Sequence, residues 1–274
     1  MATKHTPMTE TKLRQLFKEG RGSGHGPDYR SFITVFDLSS IGQSRRVPSI
    51  KVGRTLHLLS GLEHNVYLLL ERSKEVIDIR EQYPLDRDQT LEVASRLGLK
   101  HPVYPHSEVP VVMTVDFLVD FVRDGKRSVE AIAVKTSAEL RSKRSVAKLE
   151  IARTTLQDMG IPHHLILDTK LPHRAVENIQ WIYSARSGDD ETTENGNSVE
   201  AHLDDFEQQL KYADGLTTAR AACESFDAAR SLEAGTSIRL LKRLMIERRV
   251  RAPLTATEIL DTPLGEITTS GELP

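Results

Sequence analysis

The residues of this sequence best suited to catalysis are Glu63, Asp116 and Lys135. Carboxylate oxygens are ligands that Mg²⁺ prefers, so two carboxylates could hold one or two such ions. In two-metal sites the ions lie about 3.5–4 Å apart and stabilise the attacking and leaving oxygens of a phosphodiester. A lysine beside them could orient the attacking water or offset charge that develops on phosphorus. The three residue types together suit phosphodiester hydrolysis.

A predicted β-hairpin brings Asp116 close to Lys135. Residues 115–122 and 128–135 both alternate between apolar and polar side chains. The dipeptide Asp124-Gly125 between them is a strong signal for a tight turn. Side chains two residues apart lie on the same face of a strand. Asp116 lies on the face opposite the apolar residues of its strand, so it can meet Lys135 at one end of the sheet.

Each of the three residues also has a purely structural interpretation. Glu63 stands three residues after Ser60, which is the spacing of a helix capping box. Asp116 could be a solvated residue at the mouth of a strand. Lys135 could extend its charged end into water. Residue types and spacing alone leave these alternatives open.

The elements that must position these residues form a mixed α/β pattern. Residues 1–185 are predicted to form one domain in which a mixed sheet is flanked by helices. In chain order the predicted elements are a helix around Leu13–Lys18, a helix capped by Ser60, a strand Val76–Tyr83, a helix Thr90–Leu97, the hairpin, a helix Lys143–Met159, a strand His163–Leu167 and a helix His173–Tyr183.

Residues 186–198 contain no apolar side chain and are predicted to be an acidic flexible linker. Residues 199–274 follow as a second, helical domain. Helices are predicted over 199–212 and 217–231, and a third begins at Thr236. The third is rich in arginine and lysine, so it could enter a DNA groove or meet an acidic partner protein.

Composition excludes several classes of protein. The 274 residues carry a net charge of −2, with 38% hydrophobic and 28% charged residues, which is typical of a globular protein. Cys223 is the only cysteine, so a disulfide framework and a cysteine zinc site are both excluded within one chain. No apolar run is long enough to span a membrane, and the N-terminus lacks a signal-peptide core. A cytoplasmic protein is expected.

Basic residues cluster in the first part of the chain although the net charge is slightly negative. A locally basic surface is what contacts nucleic-acid phosphate. The candidates for DNA binding are Arg21, His25, Arg45, Arg46 and Lys51. The glycine-rich segment 20–27 near Arg21 lacks the Gly-Lys-Ser/Thr ending of a nucleotide-binding loop. A flexible loop is therefore expected there, with backbone contact to DNA phosphate as the second interpretation.

A series of specific sequence blocks occurs in one order between residues 18 and 185. The blocks are Lys18–Gly26, Leu58–Glu63, Asp78–Leu85, Lys100–Val103, Asp116–Asp120, Val134-Lys135 and Glu177–Ser184. Together they resemble the TnsA family, the endonuclease subunits of heteromeric bacterial transposases. The region after the predicted linker resembles that family only weakly.

The resemblance implies a fold and an activity. It implies a restriction-endonuclease-like catalytic domain and a small winged-helix-like C-terminal domain, with residues 253–267 as the wing. Members cut the 5′ strands of double-stranded DNA at transposon ends, beside a TnsB-like transposase that cuts and joins the 3′ ends. A TnsC-like ATPase regulates the pair, partly through the C-terminal domain.

The resemblance also assigns roles in the site. The catalytic carboxylates fall on Glu63 and Asp116, and the catalytic lysine falls on Lys135. The metal, Mg²⁺ with Mn²⁺ as a substitute, would be held by the two carboxylates and the backbone carbonyl of Val134. Two further carboxylates in matching blocks, Glu81 and Glu150, are candidates for supporting positions around that centre.

One position departs from the family pattern. Restriction-like enzymes have Asp, Glu or Gln two residues before the lysine, where this chain has Ala133. Water could fill the missing ligand position, as Mg²⁺ readily permits, or the metal could be held more weakly. The second possibility makes a catalytically weakened, DNA-binding or scaffolding subunit an alternative. A free-standing nuclease of the same fold is another.

Overall fold

The computed structural model describes residues 7–37, 43–186 and 199–269. Its contacts divide the chain into two compact units, Met1–Leu171 and Pro172–Pro274. The first unit holds the mixed sheet and the second is mainly helical. The predicted boundary followed residue 185, whereas the contacts place the helix His173–Tyr183 in the second unit. Residues 187–198 of the predicted linker lie outside the described part of the chain.

The first unit contains four helices and six strands within its described residues. They are α1 Glu10–Lys18, β1 Arg45–Ser49, β2 Arg54–Leu58, α2 Gly61–Arg72, β3 Val76–Pro84, α3 Arg87–Arg96, β4 Thr114–Arg123, β5 Lys126–Lys135, α4 Lys143–Asp158 and β6 His163–Leu167.

The central sheet has four strands in the order β3-β4-β5-β6. The pairs β3–β4 and β4–β5 are antiparallel, whereas β5 and β6 are parallel. The predicted α/β class with a mixed sheet flanked by helices is therefore confirmed. A parallel pair needs a crossover connection, and α4 provides it. None of the helices in the described ranges is both long and apolar enough to cross a membrane.

The register of the central hairpin fixes which side chains share a face. Asp124 (φ 49°) and Gly125 (φ 73°) both lie in the left-handed region, as a tight two-residue hairpin turn requires. Leu118 pairs with Ala131, and both belong to a buried core cluster with residues of α3 and α4. The face of the sheet that carries Asp116, two residues before Leu118, is therefore the face covered by α3 and α4.

Capping residues mark the boundaries of the helices around the site. Ser60 begins α2, where its side chain accepts a hydrogen bond from the Glu63 N–H. Gly98 (φ 64°) and Gly160 (φ 70°) follow α3 and α4 in the left-handed conformation that commonly ends a helix. The start of α2 matters most for the site, because it fixes the position from which the Glu63 side chain projects.

The hairpin of β1 and β2 is absent from the sequence-based prediction. The two strands pair over Arg45↔Leu58 to Ser49↔Arg54 as a separate two-stranded sheet. Pro48 in β1 masks the strand in the sequence, because proline cannot donate to a sheet ladder. A two-stranded sheet has only edge strands, so the proline is tolerated there.

A buried ion pair attaches this hairpin to the central sheet. The Arg54 guanidinium donates to both carboxylate oxygens of Glu81, at 3.0 and 2.6 Å, and to the Ile79 carbonyl at 2.7 Å. Both side chains are buried, and Glu81 is fully so. The His57 N–H also donates to Glu81. The carboxylate of Glu81 thus serves to fasten β2 onto β3.

The second unit contains four helices and a small sheet within its described residues. They are α5 His173–Tyr183, α6 Leu203–Tyr212, α7 Ala219–Arg230, α8 Thr236–Ile246, β7 Val250–Arg251 and β8 Thr268–Thr269. The strands β7 and β8 pair antiparallel, so the segment predicted to form a wing is the connection between them. Arg243 on α8 pairs with Glu247, and Arg249, just after α8, pairs with Glu207. Not all basic residues of this region are therefore available to a partner.

The stability of the first unit should depend strongly on the Arg54–Glu81 pair. Glu81→Gln should lower the free energy of unfolding by roughly 3 kcal/mol, because it leaves the Arg54 guanidinium buried without its counter-charge. Glu150→Gln is the matched control, since Glu150 pairs with Arg153 where both side chains are exposed, and it should change stability little. Urea denaturation measures both. Equal losses in the two variants would contradict this assignment.

Candidate active site

Asp116 is fixed at the end of the sheet by two hydrogen bonds to one of its oxygens. Its Oδ2 accepts from the Val134 N–H at 2.6 Å and from Lys135 Nζ at 2.9 Å. Lys135 Nζ also donates to the Val134 carbonyl at 2.8 Å. Within the described residues, Asp116 Oδ1 accepts no hydrogen bond. One oxygen is held by β5, and the other remains available to a cation or to water.

Glu63 lies at the first turn of α2 and is almost completely buried. The Leu59 N–H donates to its Oε2 at 2.9 Å and the Ser60 hydroxyl donates to its Oε1 at 2.9 Å. Ser60 Oγ in turn accepts from the Glu63 N–H at 3.1 Å. Glu63 is thus a cap partner of its own helix, and the same contacts fix its carboxylate. The structural and the catalytic interpretations of this residue are compatible.

The electrostatics show that Glu63 and Asp116 lie close enough to influence each other. Burial, followed by the negative charge of Asp116, raises the pKa of Glu63 to about 7. Burial lowers the pKa of Lys135, but its contacts with Asp116 outweigh that effect and raise it above the ordinary value. Lys135 therefore stays charged and neutralises Asp116, whereas Glu63 keeps a repulsive neighbour.

This donor set fits a hard divalent cation. Glu63 and Asp116 lie close enough to interact electrostatically, and burial together with the charge of Asp116 raises the pKa of Glu63. A bound cation would offset the negative charge of both. The residues that would hold it are Glu63 and Asp116, with the Val134 carbonyl beside them. Oxygen ligands of this kind suit Mg²⁺.

Ala133 borders a cavity next to this centre. The cavity has a volume of about 360 Å³ and is lined by Asp116, Ala133, Lys135, Lys148 and His163 among others. The alanine side chain offers no ligand atom, and the open space leaves room for water at that position. His163 was not predicted as a site residue. Its Nε2 is buried and has no hydrogen-bond partner within the described residues.

Gln82 was also missed, although it contacts Glu63 directly. Its Nε2 donates to Glu63 Oε2 at 3.3 Å, and its Oε1 accepts from the Thr114 hydroxyl at 2.9 Å. The residue is 3% exposed. Asp78, Arg80 and Glu81 make the same strand polar, so no sequence signal singled out Gln82. Its burial in the structure does, because a buried amide needs partners.

The two supporting carboxylates proposed from the sequence lie elsewhere. Glu81 pairs with Phe117 across β3 and β4, so it faces the opposite side of the sheet from Asp116 and is held by Arg54. Glu150 lies on α4, where the neighbouring Arg153 side chain lowers its pKa. The structure does not bring either carboxylate into contact with the Glu63–Asp116 pair within the described residues.

The predicted DNA-binding residues fall into two groups. Arg21 donates to Asp37 Oδ2 at 2.5 Å, and Lys51 donates to the Ser73 and Val76 carbonyls at 2.9 and 2.6 Å, so both support the fold. His25 is exposed and lies near Asp78.

The two arginines of β1 differ from these. Arg46 is exposed and lies over the Phe36 ring at 5.7 Å. Arg45 approaches the His64 ring at 3.5 Å, one residue from Glu63. Of the five candidates, these two lie in positions that still suit contact with DNA.

A second group of ligand-type residues is occupied by an arginine. Atoms of His25, Asp78 and Asp120 lie within 4.8 Å of one another. The Arg80 guanidinium pairs with Asp120 and lies 3.7 Å from Asp78. The Gly26 N–H also donates to Asp78 at 3.1 Å. We interpret this group as an ion-pair cluster, because a guanidinium already supplies the positive charge that a metal would bring.

The raised pKa of Glu63 has a consequence for stability. Because folding raises this pKa from 4.5 to about 7, the contribution of the carboxyl to stability is present below 4.5 and is lost as the pH rises through 7. In EDTA, Glu63→Gln should therefore be more stable than the unchanged chain by roughly 2 kcal/mol at about pH 8, and similar to it at about pH 5. Thermal melts at both pH values measure the difference. An unchanged chain that is the more stable of the two at both would contradict the expectation.

Comparisons with known proteins identify the family to which this chain belongs. A family model described as "TnsA-like endonuclease N terminal" matches residues 73–168, and one described as "TnsA endonuclease C terminal" matches residues 171–254. The "Transposon Tn7 transposition protein TnsA" of Escherichia coli is 35% identical over 277 residues, which cover 100% of this chain and 98% of that protein. The restriction-endonuclease-like fold expected of such proteins is consistent with the mixed sheet. The chain therefore belongs to the TnsA endonuclease family.

Proposed function

We propose that this chain cleaves the 5′ strands of double-stranded DNA at transposon ends by metal-dependent hydrolysis. The observation that carries the proposal is the meeting of Glu63, Asp116 and Lys135 at one end of the sheet, with Lys135 Nζ 2.9 Å from Asp116. The three come from α2, β4 and β5, so the fold and not the local sequence brings them together. Full-length similarity to a protein named for Tn7 transposition supports the choice of substrate.

Each residue has a distinct task in this proposal. Glu63 and Asp116 would hold the divalent cation, Mg²⁺ or in its place Mn²⁺, together with the Val134 carbonyl. When bound, such a cation supplies charge stabilisation for the attacking and leaving oxygens. Lys135 keeps Asp116 in place and carries its positive charge beside the position where a phosphate would lie. That charge stabilises the negative charge that grows on the phosphate oxygens during attack.

The proposal includes the partners that membership of the TnsA family implies. A TnsB-like transposase would cut the 3′ ends, and a TnsC-like ATPase would regulate both through the C-terminal unit. The exposed Arg46 on β1 and Arg45 beside α2 would contact the DNA backbone. Such phosphate contacts position a duplex without reading its sequence.

Removing Asp116 tests the proposal directly. In the assembled complex of this chain, the transposase, the ATPase and end DNA, Asp116→Ala should lower 5′-strand cleavage by at least about a hundredfold, because one of two cation-binding carboxylates is lost. Cleavage of the 3′ strands should continue. The matched control is Asp158→Ala, which removes an exposed carboxylate paired with Arg96 and should leave both reactions unchanged. Unimpaired 5′ cleavage by Asp116→Ala would refute the proposal.

Ala133 favours a second candidate, a catalytically weakened subunit that mainly binds DNA or other subunits. The residue lines the cavity next to Asp116 and contributes no ligand atom. Ala133→Gln separates the two candidates, because the cavity has room for the longer side chain. If water already completes the site, 5′ cleavage at saturating Mg²⁺ should change by less than about threefold. A gain of about tenfold or more would favour the weakened subunit.

A further inference from the structure

Gln82 joins Glu63 to the strand that carries Asp116. Its Nε2 donates to Glu63 Oε2 at 3.3 Å, and its Oε1 accepts from Thr114 Oγ1 at 2.9 Å. Thr114 is the first residue of β4 and stands two residues before Asp116. One amide side chain thus spans from α2 to β4, and both of its polar atoms are used.

The chemistry of the neighbours allows one orientation of this amide. An ionised carboxylate only accepts hydrogen bonds, so the amino group of Gln82 must face Glu63. Its carbonyl then faces Thr114, whose hydroxyl can donate. The Thr114 hydroxyl therefore fixes the orientation in which Gln82 donates to Glu63. We call these two residues the Thr114–Gln82 relay.

The backbone at Gln82 also departs from ordinary strand geometry. Its φ is 47°, in the left-handed region that residues other than glycine rarely adopt. The residues on either side keep their strand pairs, Glu81 with Phe117 and Tyr83 with Val115. This places Gln82 across from Asp116 in the register of β3 and β4. A conformation that costs free energy persists where the surroundings enforce it, and such positions concentrate at functional sites.

Glu63 needs such support because it is buried close to a second carboxylate. The negative charge of Asp116 disfavours the ionised form of Glu63. The other two donors to the Glu63 carboxylate, Leu59 and Ser60, belong to the start of its own helix. Among the described residues, Gln82 is the one donor that reaches it from the central sheet. That contact ties the position of Glu63 to the strands that hold Asp116.

We propose that Gln82 is a positioning residue that holds the Glu63 carboxylate beside Asp116, so that both can bind the same divalent cation, and that Thr114 orients it. The inference rests on the proposed function, because it assumes that the two carboxylates share a cation. Gln82 itself needs no contact with the metal or the DNA. Gln82 affects metal binding by holding the Glu63 carboxylate in place.

The test measures Mn²⁺ binding to the purified full chain by electron paramagnetic resonance and 5′-strand cleavage in the assembled complex. Gln82→Leu keeps the buried volume and removes the amide, so the Mn²⁺ affinity should fall about tenfold or more and cleavage should fall with it. Thr114→Val should lower both in the same direction by a smaller factor. The double variant should match Gln82→Leu, because Thr114 acts through the amide.

Thr155→Val is the matched control for the threonine change. Thr155 is buried on α4, where its hydroxyl donates to the Ile151 carbonyl at 2.9 Å. It makes the same exchange of hydroxyl for methyl away from Glu63, and it should leave Mn²⁺ affinity and cleavage unchanged. A thermal melt of every variant separates loss of metal binding from loss of folding.

Three outcomes would overturn the relay. The first is a folded Gln82→Leu chain with unchanged Mn²⁺ affinity and cleavage. The second is a Thr114→Val chain with unchanged affinity, which decides the matter even if Gln82→Leu does not fold. The third is a double variant whose fold-reductions in Mn²⁺ affinity and cleavage equal the product of the fold-reductions in the two single variants. Absence of Mn²⁺ binding by the unchanged chain would instead refute the proposed function, and the relay with it.

Discussion

The close approach of two carboxylates, Glu63 and Asp116, is the constraint on which the site depends. Burial and, after it, the negative charge of Asp116 both disfavour the ionised form of Glu63 and raise its pKa. Folding has to hold both groups in place against this cost. The Val134 N–H and Lys135 hold Asp116, while Leu59, Ser60 and Gln82 hold Glu63.

The two carboxylates are compensated unequally, and this inequality is what suits the site to the proposed cation. Lys135 neutralises Asp116 through a 2.9 Å contact. Glu63 receives hydrogen bonds from neutral groups only. The contrast with Glu81 is instructive, since that carboxylate has Arg54 as a full counter-charge and is fully buried. A carboxylate that is completely paired stabilises the fold, whereas one left in need of positive charge suits metal binding.

The sequence predicted the approach of Asp116 to Lys135 because its signals are local, whereas the place of Glu63 beside them came from the family resemblance. Strand alternation and the Asp124-Gly125 turn placed Asp116 near Lys135, and the Ser60 cap placed Glu63 at a helix start. The β1–β2 hairpin was missed, because Pro48 and the basic residues of β1 hide its strand pattern. Contacts between segments that are distant in the sequence could not be predicted either. Whether Glu81 would meet Asp116 or Arg54 depends on the face it occupies, and the role of Gln82 rests on contacts with Glu63 and Thr114, which are far from it in the sequence.

The first unit contains two acidic groups that differ in counter-charge. Metal binding is therefore expected at one of them and not at the other. The Glu63–Asp116 pair lacks a full counter-charge, whereas Asp78 and Asp120 already have Arg80. The most direct measurement is a crystal structure of the full chain with Mn²⁺, in which anomalous scattering locates the ion. The account predicts a peak between the carboxylates of Glu63 and Asp116. A peak at His25, Asp78 and Asp120 alone, or none at either group under saturating Mn²⁺, would contradict it.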